Sequence, residues 1–105
     1  MTLNKAALLK ATLPEAVVSL PSAAGEVRVR GLSRSDAIRV SVQKSPEDQE
    51  ATLVALGMVE PTLTVDDVRE WQRVAPAGDL QAVSERIGEL SGMTETSGKE
   101  AYKSA

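Results

Sequence analysis

The chain has 105 residues, a length that suits one small domain and leaves too little for a second independent core. Twelve basic against fifteen acidic residues give a net charge of −3, which argues against a dedicated binder of nucleic-acid phosphates. The sequence has no histidine and no cysteine, so it lacks the commonest general base, the commonest metal ligand, disulfides and thiolate nucleophiles.

A short helix is predicted at the N-terminus, where Thr2 or Asn4 can act as the cap. The helix is expected to run to about Ala11 and to stop before Pro14, which cannot continue it. Its apolar residues form an uneven stripe, so the pattern does not say what the helix packs against.

A β-hairpin is predicted next. Residues 15–20 are rich in β-branched side chains, residues 26–30 alternate between polar and apolar, and the intervening "PSAAG" favours a turn. Arg28 and Arg30 then share the face of the second strand that is opposite to its valines. We therefore expect these arginines to face solvent, with contact to a protein partner as the alternative. Binding of single-stranded nucleic acid is disfavoured, because no aromatic side chain accompanies them to stack on bases.

Four further helices are predicted from their caps, prolines and apolar spacing. Ser33, Ser45 and Thr64 are suitable N-caps, and Gly92 is a natural stop after the last helix. The predicted helices run from Arg34 towards Gln43, from Pro46 to Val59, from Val65 to Ala75, and from Ala77 or Asp79 to about Ser91. The second of these is expected to be the central helix.

Together these elements predict an α+β fold that is mostly α, with a small N-terminal β-hairpin packed on a bundle of about four helices. Residues 1–92 are assigned to a single small domain made of the hairpin and the helices. Residues 93–105 contain no Leu, Ile, Val or Phe, so we expect a flexible, disordered polar tail there.

The candidate partner-binding residues are apolar. Only 2% of the chain is aromatic, and Trp71 is either the largest core side chain or an anchor for a partner. Leu80, Val83, Ile87 and Leu90 recur at helical spacing, and they form either part of the core or the edge of an exposed groove. Both alternatives stay open at the level of sequence.

Catalysis is not expected from the residues available. Serine and threonine are present, but their usual histidine base is not. Asp66 and Glu70 would lie one helical turn apart, which suits a weak divalent-ion site, although acidic residues in a first helical turn are also explained by the helix dipole. The scattered glycines form no phosphate-binding loop. We therefore predict no catalytic residue, no cofactor and no bound metal.

Three stretches occur in an order that points to a family: "EVRVRGLSRSD", "ATLVALGMVEPTLTVDDVREW" and "PAGDLQAVSERIGELSGM". In this order they resemble the tail assembly chaperones of long-tailed bacteriophages and prophages. The resemblance covers about residues 17–93 and does not extend to the segment "RVSVQKSPEDQ".

The resemblance implies a non-catalytic protein that binds the long tape-measure protein, keeps its apolar helical segments from aggregating and recruits tail-tube subunits. It implies a location in the host bacterial cytoplasm and absence from the mature virion. Self-association through the apolar stripe that binds the client is a further expectation. No membrane is expected as a partner, because no apolar run approaches the roughly 18 residues that a membrane span needs.

Many members of the family are made in two forms by a programmed −1 ribosomal frameshift. The segment from Ser97 to Lys99 can be encoded by a slippery heptamer, so a longer form is expected to diverge there. A gene without such a heptamer, or without an overlapping −1 frame, would contradict this expectation.

Two other functions compete with the chaperone. A small transcriptional or nucleic-acid-associated regulator would use Ser33 to Val40 together with the neighbouring arginines. A weak metal-dependent hydrolase would use Asp66 and Glu70 and would lose activity in Asp66→Ala.

Overall fold

A computed structural model describes residues 2–93 of the chain. In chain order the elements are α1 (Lys5–Leu9), β1 (Glu15–Ser19), β2 (Glu26–Arg30), α2 (Arg34–Ser41), α3 (Pro46–Gly57), β3 (Met58–Glu60), α4 (Val65–Val74) and α5 (Ala77–Leu90). The predicted fold class is confirmed: the described residues form an antiparallel sheet, whose first two strands lie near the N-terminus, and a predominantly helical remainder. Apart from Met93, the predicted polar tail and its Ser97–Lys99 segment lie outside the described residues.

The sheet is built on the predicted hairpin. β1 and β2 pair in antiparallel register, with Glu15 opposite Arg30 and Ser19 opposite Glu26. Their inward valines, Val18 and Val29, are buried, whereas the alternate residues of both strands face outward. The hairpin therefore places one face on the core, as the period-2 pattern predicts.

A third strand, β3, was not expected from the sequence. The apolar run of α3 was predicted to continue as helix to Val59, but α3 ends at Gly57 and Met58 begins a strand that pairs with β2. The backbone of Gly57 lies against α5, where a Cβ would come 2.5 Å from Cδ1 of Ile87. The change from helix to strand thus depends on two distant elements, β2 and α5, and not on a local stop signal.

The predicted helix caps are confirmed. Ser33 Oγ accepts a hydrogen bond from the Asp36 backbone N–H at 3.2 Å, and Ser45 caps α3 in the same way. At α4 the capping box is complete: Thr64 Oγ1 accepts from the Asp67 N–H at 3.1 Å, and Asp67 Oδ2 accepts from the Thr64 N–H at 3.0 Å. These bonds satisfy backbone donors that the first helical turn leaves free, which fixes where each helix begins.

The core is aliphatic, and α3 is its central helix. α3 packs against α2, α4 and α5, while α5 also packs on β1 and β2. The largest fully buried side chains are Ile87, Val29, Val54, Val68 and Val83. Sheet and helices therefore share one hydrophobic cluster.

Three contacts fasten the hairpin region to α5. The Asp79 side chain is 2% exposed and accepts hydrogen bonds from the Ser22 backbone N–H at 2.9 Å and from Ser22 Oγ at 2.6 Å. Just beyond the other end of α5, Ser91 Oγ accepts from the Leu32 N–H at 2.7 Å. Beside it, Gly31 packs so closely on the end of α5 that a Cβ would lie 2.5 Å from the Leu90 carbonyl oxygen. The hairpin is thus held to both ends of the last helix.

Within residues 2–93, every helix falls short of the length and apolar character that a membrane crossing requires.

Candidate binding surfaces

The structure separates the five candidate partner-binding residues into two groups. Leu80, Val83 and Ile87 are 3%, 0% and 0% exposed, so in this conformation they belong to the core and offer no surface to a partner. Trp71 and Leu90 are partly buried and pack against the same cluster. The expectation that the α5 stripe forms a shared surface is therefore corrected, because three of its residues face α3 and the sheet.

A pocket of about 290 Å³ lies beside Trp71, and we call it the Trp71 pocket. Its lining residues are Leu20, Val27, Met58, Pro61, Leu63, Asp67 and Trp71. The sheet supplies one wall, the β3–α4 connection supplies the second, and α4 supplies the third. Because nearly all the lining is apolar, the pocket suits an aliphatic or aromatic side chain better than a polar metabolite.

A single carboxylate lines the Trp71 pocket, namely that of Asp67. The hydrogen bond that its carboxylate accepts from the Thr64 backbone N–H, and then the one from the Thr64 hydroxyl, lower the pKa of Asp67 below its ordinary value of 3.8. The carboxylate is therefore ionised at neutral pH, and the pocket combines apolar walls with one fixed negative charge.

A second pocket, of about 350 Å³, opens between α2, α3 and α5. It is lined by Leu32, Ala37, Val40, Ser41, Gln49, Leu53, Gly88, Ser91 and Met93. Met93 is 55% exposed, and its unbranched side chain can adapt to differently shaped ligands. The lining mixes apolar and hydroxyl or amide groups, so this pocket is less purely apolar than the Trp71 pocket.

The N-terminal segment carries further apolar surface. Leu3, Leu8 and Leu9 are 64%, 60% and 71% exposed, and α1 has no buried residue. The predicted cap of α1 is present, since Asn4 Oδ1 accepts from the Ala7 N–H at 2.8 Å. The helix is thus formed locally and leaves its leucines on the surface of the molecule.

The two arginines of β2, Arg28 and Arg30, have partners in this chain. Arg28 is half-exposed and approaches Glu15 at 3.9 Å and Glu60 at 3.6 Å. Arg30 Nε donates to the Leu56 carbonyl oxygen at 3.4 Å. These contacts fit a solvated face on which acidic neighbours offset the positive charge of Arg28.

The acidic residues of α4 are engaged in local contacts. Glu70 pairs with Arg73 at 2.9 Å, and Asp67 completes the capping box with Thr64. Among residues 2–93 there is no group of three or more metal-ligating side chains that could hold an ion. Within that part of the chain, therefore, no third metal-ligating side chain joins Asp66 and Glu70.

No protein-family model matches the chain, and comparisons with curated proteins and with solved structures found no significant match. The likeness to tail assembly chaperones therefore remains a prediction from the sequence.

Sequence reasoning identified Trp71 but missed the pocket around it. The pocket needs the sheet and the β3–α4 connection to meet α4, and the strand β3 was itself not predicted. The available signal was the "EPTLT" segment, in which Pro61 and Leu63 are apolar residues in a short connection between two elements.

Proposed function

We propose that this protein is a non-catalytic tail assembly chaperone, which binds the tape-measure protein of a phage or prophage and recruits tail-tube subunits in the host bacterial cytoplasm. The single observation that carries the proposal is the Trp71 pocket, an open and almost wholly apolar cavity beside the hydrophobic core. A protein that shields apolar helices needs such a surface and needs no reactive group.

The dimensions of the pocket fit this role. A volume of about 290 Å³ accommodates one or two large side chains of a client helix, not a whole helix. Amphipathic helices bind grooves by inserting a few apolar residues spaced three or four positions apart. The Trp71 pocket would take one such anchor, and the neighbouring apolar surface would take the next.

The same geometry suits a chaperone that must later leave. A single small pocket gives modest affinity, because association has to offset the lost freedom of both partners. Tail-tube subunits can then displace the protein by competition, without any chemical step. The tape-measure protein as the client and the absence from the mature virion are both inferred from the family resemblance, which the order of motifs from the hairpin to α5 carries.

The proposal is tested by co-expressing the protein with segments of the tape-measure protein and measuring client solubility and co-purification. In Leu63→Gln the pocket wall becomes polar, so we expect client binding to weaken about tenfold or more. Val74→Gln is the matched control, because Val74 is 69% exposed on α4 and does not line the pocket. Circular dichroism and thermal unfolding establish that both variants are folded.

Unchanged client solubility together with no co-purification of the wild-type chain would sink the proposal. If Leu63→Gln and the control bind the client equally well, the Trp71 pocket is not where the client binds.

The alternative, a small transcriptional or nucleic-acid-associated regulator, has weaker support. Arg28 and Arg39 already lie beside acidic groups, at 3.6 Å from Glu60 and 3.8 Å from Asp36 respectively. Salt-sensitive retention of DNA by the purified protein would nevertheless favour this alternative over the chaperone.

A further inference from the structure

One edge of the sheet is open. The strand order is β1-β2-β3, so β1 has a neighbour on one side only within the described residues. Besides β2, the element that packs extensively on β1 is α5, which also packs on β2 and contributes to the shared core. Within residues 2–93, therefore, no strand pairs with the outer edge of β1.

The hairpin hydrogen bonds show which backbone groups lie at this edge. The Leu20 N–H donates to the Gly25 carbonyl and the Gly31 N–H donates to the Pro14 carbonyl, both at 2.9 Å. In an antiparallel pair the bonded positions alternate, so every second residue between Pro14 and Leu20 turns its N–H and C=O towards β2. The residues between them, Glu15, Val17 and Ser19, turn theirs to the outside.

These outward backbone groups are unpaired in the part of the chain that the structure describes: no hydrogen bond from outside the ladder reaches them. β1 contains neither lysine nor proline and pairs without a bulge, and its one charged residue, Glu15, lies at its first position. β3, at the opposite edge, is three residues long and is followed by Pro61. Of the two edges, β1 is the one suited to adding a strand.

The sequence of β1 is complementary to itself. When two copies meet in antiparallel orientation about a twofold axis at Val17, that valine faces its counterpart, Glu15 faces Ser19, and Ala16 faces Val18. No like charges oppose each other in this register, and each of the three outward-facing pairs can exchange two hydrogen bonds. The Val17 side chain, 52% exposed in the single chain, gains an apolar neighbour.

We propose that a second copy of this chain pairs along β1, forming a symmetric dimer with one continuous antiparallel sheet. The dimer replaces the self-association expected through the α5 stripe, whose central residues are buried. The inference does not rest on the proposed chaperone function. It leaves the Trp71 pocket open, because none of the paired residues 15–19 lines that pocket.

The proposal is tested by sedimentation equilibrium of the full chain and its Val17→Lys and Val17→Glu variants. The wild type is expected to show a concentration-dependent monomer–dimer equilibrium. Each variant places two like charges face to face on the twofold axis, which should weaken dimerisation about tenfold or more. An equimolar mixture of the two variants brings opposite charges together and should restore dimers.

The matched control is Val74→Lys, which adds the same charge at a valine 69% exposed and remote in sequence from β1. It should dimerise like the wild type, and far-ultraviolet circular dichroism should show all three variants folded. A wild type that is monomeric at all concentrations would overturn the proposal, as would a dimer that Val17→Lys and Val17→Glu leave intact.

Amide hydrogen exchange locates the interface directly. Protection of the Val17 N–H should rise with protein concentration, whereas the Val18 N–H, which is bonded within the hairpin, should be protected at every concentration. A dimer with an unprotected Val17 N–H would place the interface elsewhere. Protection that appears only on adding an apolar client peptide would assign this edge to the client and would also overturn self-pairing.

Discussion

At Gly31 the backbone of the hairpin region touches the backbone of α5. A Cβ at this position would lie 2.5 Å from the Leu90 carbonyl oxygen and 2.7 Å from its carbonyl carbon. Both obstacles are main-chain atoms at the end of a helix, so a side chain cannot be accommodated by a change of rotamer. Glycine is required here by close approach of two backbones.

Gly31→Ala should therefore lower the free energy of unfolding by about 2–3 kcal/mol, the range expected for overpacking a tight contact. The matched control is Gly78→Ala: a Cβ at Gly78 meets nothing within 4 Å, and the residue lies in the first turn of α5. There alanine should be neutral or should raise stability by up to about 1 kcal/mol. Urea unfolding followed by circular dichroism measures both, and equal effects would contradict the close approach at Gly31.

Asp79 is a second residue whose role depends on a distant partner. Its carboxylate is buried and accepts both hydrogen bonds that Ser22 offers, one from the backbone and one from the hydroxyl. Hydrogen bonds to a charged group contribute more than neutral ones, and a buried donor left unpaired adds its own cost.

Asp79→Ala should lower the free energy of unfolding by about 2–3 kcal/mol. Ser22→Ala removes one of the two bonds and should cost less. The double variant should be about as stable as Asp79→Ala alone, since the two residues form one unit. Additive losses in a thermodynamic cycle of urea unfolding would show that Asp79 acts through some other contact.

At the scale of elements, local signals were sufficient for the starts of helices and insufficient for strand pairing and for the end of α3. Ser33, Ser45 and Thr64 each cap a helix with bonds three residues away, so the sequence alone could locate those helix starts. β3 is different, because it is a strand only where Met58 meets Val29 across the sheet. The α5 stripe shows the same limit, since apolar spacing predicts a helix but does not tell a buried face from an exposed groove.

Two carboxylates, one in the contact between α3 and α4 and one in the cap of α4, make the stability of these elements depend on pH. A hydrogen bond from Arg69, 2.8 Å away, is the main cause that lowers the pKa of Asp48, and Thr64 lowers the pKa of Asp67. Both folded-state pKa values thus lie below the ordinary 3.8, so the unfolded chain takes up protons first as the pH falls. The stabilisation that these two carboxylates contribute is complete at pH values well above the ordinary pKa of 3.8, and it is lost as the pH falls through their folded-state pKa values.

Unfolding free energy should accordingly fall when the pH is lowered from about 5 towards 2, and the slope should be shallower in Asp48→Asn and in Asp67→Asn. Both variants remove the titrating carboxylate and keep a side chain of similar shape. Urea unfolding at a series of pH values measures the slope. Slopes identical to that of the wild type would mean that neither carboxylate is linked to folding.

At the scale of the whole molecule, some apolar side chains are buried in the core, and others line surface pockets or lie at the free edge of β1. The interior is aliphatic because a chain with 2% aromatic residues has little else to bury. Composition did not predict these surfaces, since the Trp71 pocket and the free β1 edge exist only once sheet and helices are assembled. A dimer paired along β1 would carry two such pockets, so a client with repeated apolar segments would gain by engaging both.

The hydrogen bonds between the hairpin region and α5 also determine when the hairpin region is fixed in place during synthesis. Ser22 cannot bond to Asp79 until 57 more residues have been made, and Leu32 cannot bond to Ser91 until 59 more have been made. β1 and β2 therefore leave the ribosome long before the helix that secures them, and contacts separated by so much chain form slowly. A polypeptide cut short between Glu60 and Ala77 would contain all three strands but lack α5, so during synthesis the hairpin is made early and secured late.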